Sequence, residues 1–150
     1  MYIENCEAAK NHKTIAAFYE LALADMSDGL IDFRTIQERR YIPFWGNLAI
    51  FRHVNDGEGW EVVLWGGSLV ENYGKELTGK LFNPIDLGVE LGAQSEKIVA
   101  DDARVVANKD ITFSSGTLSW QNRSYKRWHR MCLPMTKGGD ICCFMFIVFS

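Results

Sequence analysis

The sequence predicts an α+β domain, and three observations carry that expectation. Apolar residues recur at helical spacing over Ala8–Met26 and again over Ala93–Asn108. Segments rich in aromatic and β-branched residues lie on either side of the second helical run. Glycine, asparagine and proline punctuate the joins between them.

In chain order, Ile15, Phe18, Tyr19, Ala22 and Met26 form the apolar stripe of the first helix, which Ser27-Asp28-Gly29 stops. Phe33–Arg40 has the character of one or two helical turns, and Pro43 is expected to hold Ile42 extended. Leu48–Val54 and Trp60–Trp65 read as a hairpin around the glycine-containing loop 55–59. Leu69–Tyr73 is a helical turn closed by Gly74, a residue suited to the left-handed position after a helix. Thr78-Gly79 and Asn83-Pro84 break the next stretch. The helix Ala93–Asn108 then brings Ile98, Val99, Ala103, Val105 and Val106 to or near one face. Ile111–Gln121, Tyr125–Thr136 and Asp140–Phe149 are expected to be three antiparallel strands, separated by Asn122-Arg123-Ser124 and Lys137-Gly138-Gly139.

The last strand, running Cys142-Cys143-Phe144-Met145-Phe146-Ile147-Val148-Phe149, is apolar at both parities, so both of its faces must be covered. The central helices can cover one. The amino-terminal helix or a second subunit must cover the other, which makes Ile15, Phe18, Tyr19, Ala22 and Met26 candidates for a homodimer interface. A chain of 150 residues is one domain, with a helix-and-cap region over 1–47 and a core over 48–150.

A formal charge of −3 argues against a partner held by net positive charge, nucleic acid above all. The longest clean apolar run, Ile141–Phe149, is far shorter than the roughly 20 residues of a membrane-spanning helix. Met1–Lys10 has no apolar segment of the secretory kind, so a cytoplasmic protein is expected. Cys6, Cys132, Cys142 and Cys143 are expected to be buried thiols in a reducing compartment rather than a disulfide framework.

Two separated segments are similar to those of the proteobacterial stand-alone PAS family. Gly67-Ser68-Leu69-Val70-Glu71-Asn72-Tyr73-Gly74-Lys75-Glu76-Leu77-Thr78-Gly79 resembles its G-T-x-x-V-x-x-x-G-x-D-L-T-G segment, and Met131-Cys132-Leu133-Pro134-Met135-Thr136-Lys137-Gly138-Gly139 resembles its L-L-P-L-s-x-d-G hairpin. The likeness extends over about Leu48 to Phe149. Ahead of it, only Arg34 and Ile42-Pro43 match the family's Pro-x-Arg and Ile-x-Pro elements. The resemblance implies a PAS-like five-stranded antiparallel sheet, with helices between its second and third strands and an amino-terminal helix. It also implies a non-enzymatic sensor or adaptor in signal transduction that binds a small, partly apolar ligand, a regulatory protein partner, or both.

Side chains limit the chemistry. Leu69–Asn108 contains no cysteine, which argues against covalent flavin photochemistry, and Ala93–Asn108 contains no histidine, which argues against haem b. No Cys-x-x-Cys, His-x-x-x-His or His-Glu-x-x-His spacing points to a metal. Asp101 and Asp102 are adjacent on a helix and should diverge by about 100°, as on a solvated face. Candidates for the lining of an apolar pocket are Trp120, Trp128, Met131, Leu133, Met135, Phe144 and Phe146, facing Ile98 and Val106. Arg127 and His129 are candidate polar anchors at its mouth. The runner-up reading is an NTF2-like cone-fold enzyme or small-molecule carrier, which a buried acid with a shifted pKa in the main pocket would favour.

Overall fold

The computed structural model describes residues 6–54, 59–82, 95–118 and 123–150, with the side chains of all of these except 82, 95–99, 118 and 123–125. The amino-terminal run is two helices, α1 (Glu7–Lys10) and α2 (Lys13–Asp25). They part at His12, whose extended backbone lets its Nδ1 accept from the Thr14 N–H at 3.2 Å and cap α2. A short strand β1 (Ile31–Asp32) follows, then 3₁₀ turns over Thr35–Gln37 and Arg39–Asn47. Pro43 lies inside the second 3₁₀ run, so Ile42 is helical rather than extended. Two side chains brace this segment: Tyr41 Oη donates to Asp25 at 2.6 Å, and Trp45 Nε1 donates to the Ile36 carbonyl at 2.8 Å.

Next come β2 (Leu48–Val54), β3 (Gly59–Trp65), α3 (Gly67–Tyr73), the two-residue β4 (Leu81–Phe82) and the long helix α4 (Ser95–Asn108). The chain closes with β5 (Thr112–Leu118), β6 (Arg123–Lys137) and β7 (Asp140–Phe149). Gly66 packs so tightly that a Cβ there would lie 2.4 Å from the Gly46 carbonyl oxygen. Gly138 and Gly139, at φ 58° and 90°, supply the two positive φ values that a two-residue turn between twisted strands needs.

One seven-stranded sheet results, in the order β1-β6-β7-β2-β3-β4, with β5 also on β6. The five longer strands are the expected ones; β1 and β4 were too short to register as strands in the sequence. β6 serves two neighbours along one edge, pairing antiparallel with β5 as far as Cys132 and parallel with β1 from Met135. Pro134, which has no N–H to offer, falls in the gap between them.

The fold is thus a mixed α and β arrangement with a core on each face of the sheet. On one face α3 and α4 cover Ala49, Phe51, Trp60, Val62, Trp128, Cys132, Cys143, Met145 and Ile147. On the other, α1, α2 and the 3₁₀ turns cover Leu48, Ile50, Met131, Leu133, Met135, Cys142, Phe144, Phe146 and Val148. Both faces of β7 are therefore filled from within the chain. Ile15, Phe18 and Ala22, expected at an interface between copies, are buried in this second core, with Tyr19 and Met26 half-buried beside them. A dimer built on these side chains would require α2 to leave its own sheet. The Phe18 ring stacks on Phe146 at 4.6 Å and meets Phe44 and Phe144 edge-on. Among the described residues no helix is long and apolar enough to cross a membrane.

Candidate functional site

Alternation along β6 places Trp128, Arg130 and Cys132 on the α4 face and Met131, Leu133 and Met135 on the α2 face. The expected pocket lining divides accordingly. Trp128 and Val106 belong to the α4 side, whereas Met131, Leu133, Met135, Phe144 and Phe146 are packed beneath α2 on the other face of the sheet. The grouping fails because it drew on both parities of one strand. Trp120 and the side chain of Ile98 lie outside the described residues.

The α4 face holds a cavity of about 20 Å³, lined by Phe51, Trp65, Tyr73, Trp128, Arg130, Met145 and Ile147. Its volume admits roughly one water molecule. Tyr73 meets Trp65 edge-on at 5.1 Å, and burial pushes its hydroxyl pKa well up. Trp65 Nε1 donates to the Lys75 carbonyl at 3.0 Å. Among the described residues the one charged group of the lining is the Arg130 guanidinium, 5.9 Å from the Trp128 ring and 3 % exposed.

Arg130 connects the sheet to α4. Its Nη2 donates to Asp101 Oδ2 at 2.8 Å, its Nη1 to Asp102 Oδ1 at 2.9 Å, and its Nε to Ser114 Oγ on β5 at 3.2 Å. Asp101 also accepts from Thr112 Oγ1 at 2.7 Å and from Arg104 Nη2 at 2.8 Å. The expectation that the two aspartates lie on a solvated face is overturned: they are 4 % and 1 % exposed. A guanidinium is wide enough to take two carboxylates that diverge, one on each terminal nitrogen. Burial pushes the Asp102 carboxyl up to about 6; the Arg130 charge opposes that rise and the Asp101 charge adds to it.

Cys132 Sγ stands 3.7 Å from Asp102 Oδ1 and 2.7 Å from Cys143 Sγ. Both thiols are wholly buried, and burial raises the pKa of each, so both carry their protons.

The expected polar anchors lie elsewhere. His129 belongs to the opposite face, where Nδ1 is 2.6 Å from Ser115 Oγ, Cys6 Sγ is 3.2 Å from the same hydroxyl, and the His12 ring is 5.6 Å away. Arg127 is half-buried, and its backbone N–H and carbonyl pair with Ser150. Lys126 Nζ donates to Asn72 Oδ1 at 2.9 Å, so Lys126 and Arg130 have separate partners. Sequence reasoning missed Arg130 and Asp102 as a pair, although a signal existed. Asp102 sits three and four residues from Val99, Ile98, Val105 and Val106, in the middle of the apolar stripe.

Compared with family models, curated proteins and solved structures, the chain matches none.

Proposed function

We propose that the chain is a non-enzymatic sensor or adaptor domain of the PAS type, taking a small, partly apolar ligand between α4 and the sheet and signalling through a regulatory protein partner. The element order supports the reading: two strands, helices, then three strands, with the helices of the connection on one sheet face. The observation that carries it is a buried guanidinium in an aromatic cavity, held by carboxylates that belong to a separate layer, the helix α4. At about 20 Å³ the cavity is too small for an organic ligand unless that layer shifts. Ligand entry and the position of α4 are then one equilibrium, and a ligand that binds only the opened state shifts its population. A polar group of the ligand that takes a bond from Arg130 would loosen Asp101 and Asp102 at the same time. A homodimer would use surface other than the buried face of α2.

Native mass spectrometry, followed by denaturing extraction and small-molecule analysis, tests this. A stoichiometric, partly apolar molecule that is lost from Trp128→Ala supports it. An empty wild-type protein that no compound of a partly apolar panel stabilises leaves a filled core and a plain interaction module. The NTF2-like reading, an enzyme or carrier, is favoured by one observation, the buried Asp102 carboxyl near 6. It ranks second because that acid, on α4, is bound by Arg130 and does not line the cavity, and because the sheet is covered on both faces rather than opening into a cone.

A further inference from the structure

Asp102 from α4, Cys132 from β6 and Cys143 from β7 bring three donor atoms within 4.8 Å of one another in the interior. Their chain separations match no ligand spacing, because the site is assembled across three elements rather than along one. Among the described residues, the charged groups buried on this face are two carboxylates and one guanidinium. Asp101 also has Arg104, whereas Asp102 shares Arg130 and otherwise faces the two thiols.

We propose that Asp102, Cys132 and Cys143 form a binding site for a single thiophilic divalent cation of the zinc class. Two sulfurs and a carboxylate oxygen are a donor set zinc accepts, at about 2.3 Å for sulfur and 2.0–2.2 Å for oxygen. Around a tetrahedral ion those lengths put sulfur and oxygen about 3.6 Å apart and the two sulfurs about 3.8 Å apart. Cys132 Sγ already stands 3.7 Å from Asp102 Oδ1. The sulfurs, at 2.7 Å, have to open by roughly 1 Å, which rotation of one side chain on a cross-strand diagonal supplies. The charge balances as well. The cation takes up two thiolates as two protons leave for solvent, so the net charge of the buried cluster does not change, and no electron is transferred. Arg130, donating to the carboxylate from outside, is the kind of partner that orients a ligating oxygen.

The test uses the full chain, reduced and free of oxygen, titrated with Zn²⁺ and with Co²⁺ as a spectroscopic probe. The expected result is one equivalent bound per chain and a thiolate-to-cobalt charge-transfer band, both retained in Cys142→Ala, whose thiol is on the opposite face of the sheet. Cys132→Ala and Cys143→Ala should each lose the band and weaken binding at least tenfold. Absence of the band in folded, reduced wild-type protein overturns the proposal, whether or not the variants fold. So does a band that survives removal of both thiols. A chain that takes no cobalt but becomes lighter by two hydrogens on mild peroxide treatment would make the pair a thiol–disulfide couple instead, which equally overturns it.

Discussion

Replacing Arg130 by methionine would leave Asp101 and Asp102 inside the protein without their shared cation. Breaking a buried pair by removing one partner typically costs about 3–5 kcal/mol, because a charge is left uncompensated. Arg130→Met should lower the unfolding free energy by that order in urea titration. Arg104→Ala should cost less than about 1 kcal/mol, since its side chain is 41 % exposed. Histidines set a second expectation at this scale. Burial lowers the pKa of both His53 and His129, and the nearby His12 and Arg127 charges lower that of His129 further. Each therefore contributes stability that is present above the unfolded value of 6.5 and is lost as pH falls through the lower folded value. Asp102, at about 6 in the folded state against 3.8 unfolded, acts in the opposite sense over pH 7 to 5, so the histidine contribution is read by difference. Relative to wild type, the urea midpoint of His129→Gln should rise on going from pH 7 to pH 5, and an unchanged difference would remove His129 from the account. Why the charged cluster was hard to see in the sequence is also a matter of single residues. A helical aspartate is polar in composition but apolar in position, and only the partner strand shows which property wins.

At the scale of elements, α2 does the work that the sequence left open between a helix and a second subunit. Phe18 is its central contact, in a cage of Phe44, Phe144 and Phe146. Phe18→Ala should destabilise the fold by about 3–5 kcal/mol in thermal or urea unfolding, the usual cost of emptying a buried aromatic site. Gly66→Ala tests the other helical layer: its methyl would meet the Gly46 carbonyl, so a loss of about 1–3 kcal/mol is expected. The order of the long elements was legible because periodicity and turn residues are local properties. β1 and β4 were not, since two residues carry no period, and each exists through its partner, β6 or β3. The break at His12 was hidden for a related reason: the apolar stripe runs past α1, while the interruption depends on one backbone angle and one side-chain cap.

For the whole molecule, the two cores lie back to back on one sheet, and removing one helical layer should expose the other side of the same strands. A chain beginning at Met26 should associate, because Phe144, Phe146 and their neighbours would form a large open apolar patch. Light scattering after size exclusion would read this, and a monodisperse monomer would show that α2 is dispensable. The pocket could not be read from the sequence at this scale, since which residues share a cavity depends on which face each layer covers. The alternation of β6 has one more consequence. A slip of β6 by one residue against β7 would carry Arg130 in among the phenylalanines and set Met131 and Leu133 against the aspartates, stranding charge on each side. The ion cluster thus fixes the register of a strand pair whose other member, β7, is almost uncharged and carries little polar information about its own alignment.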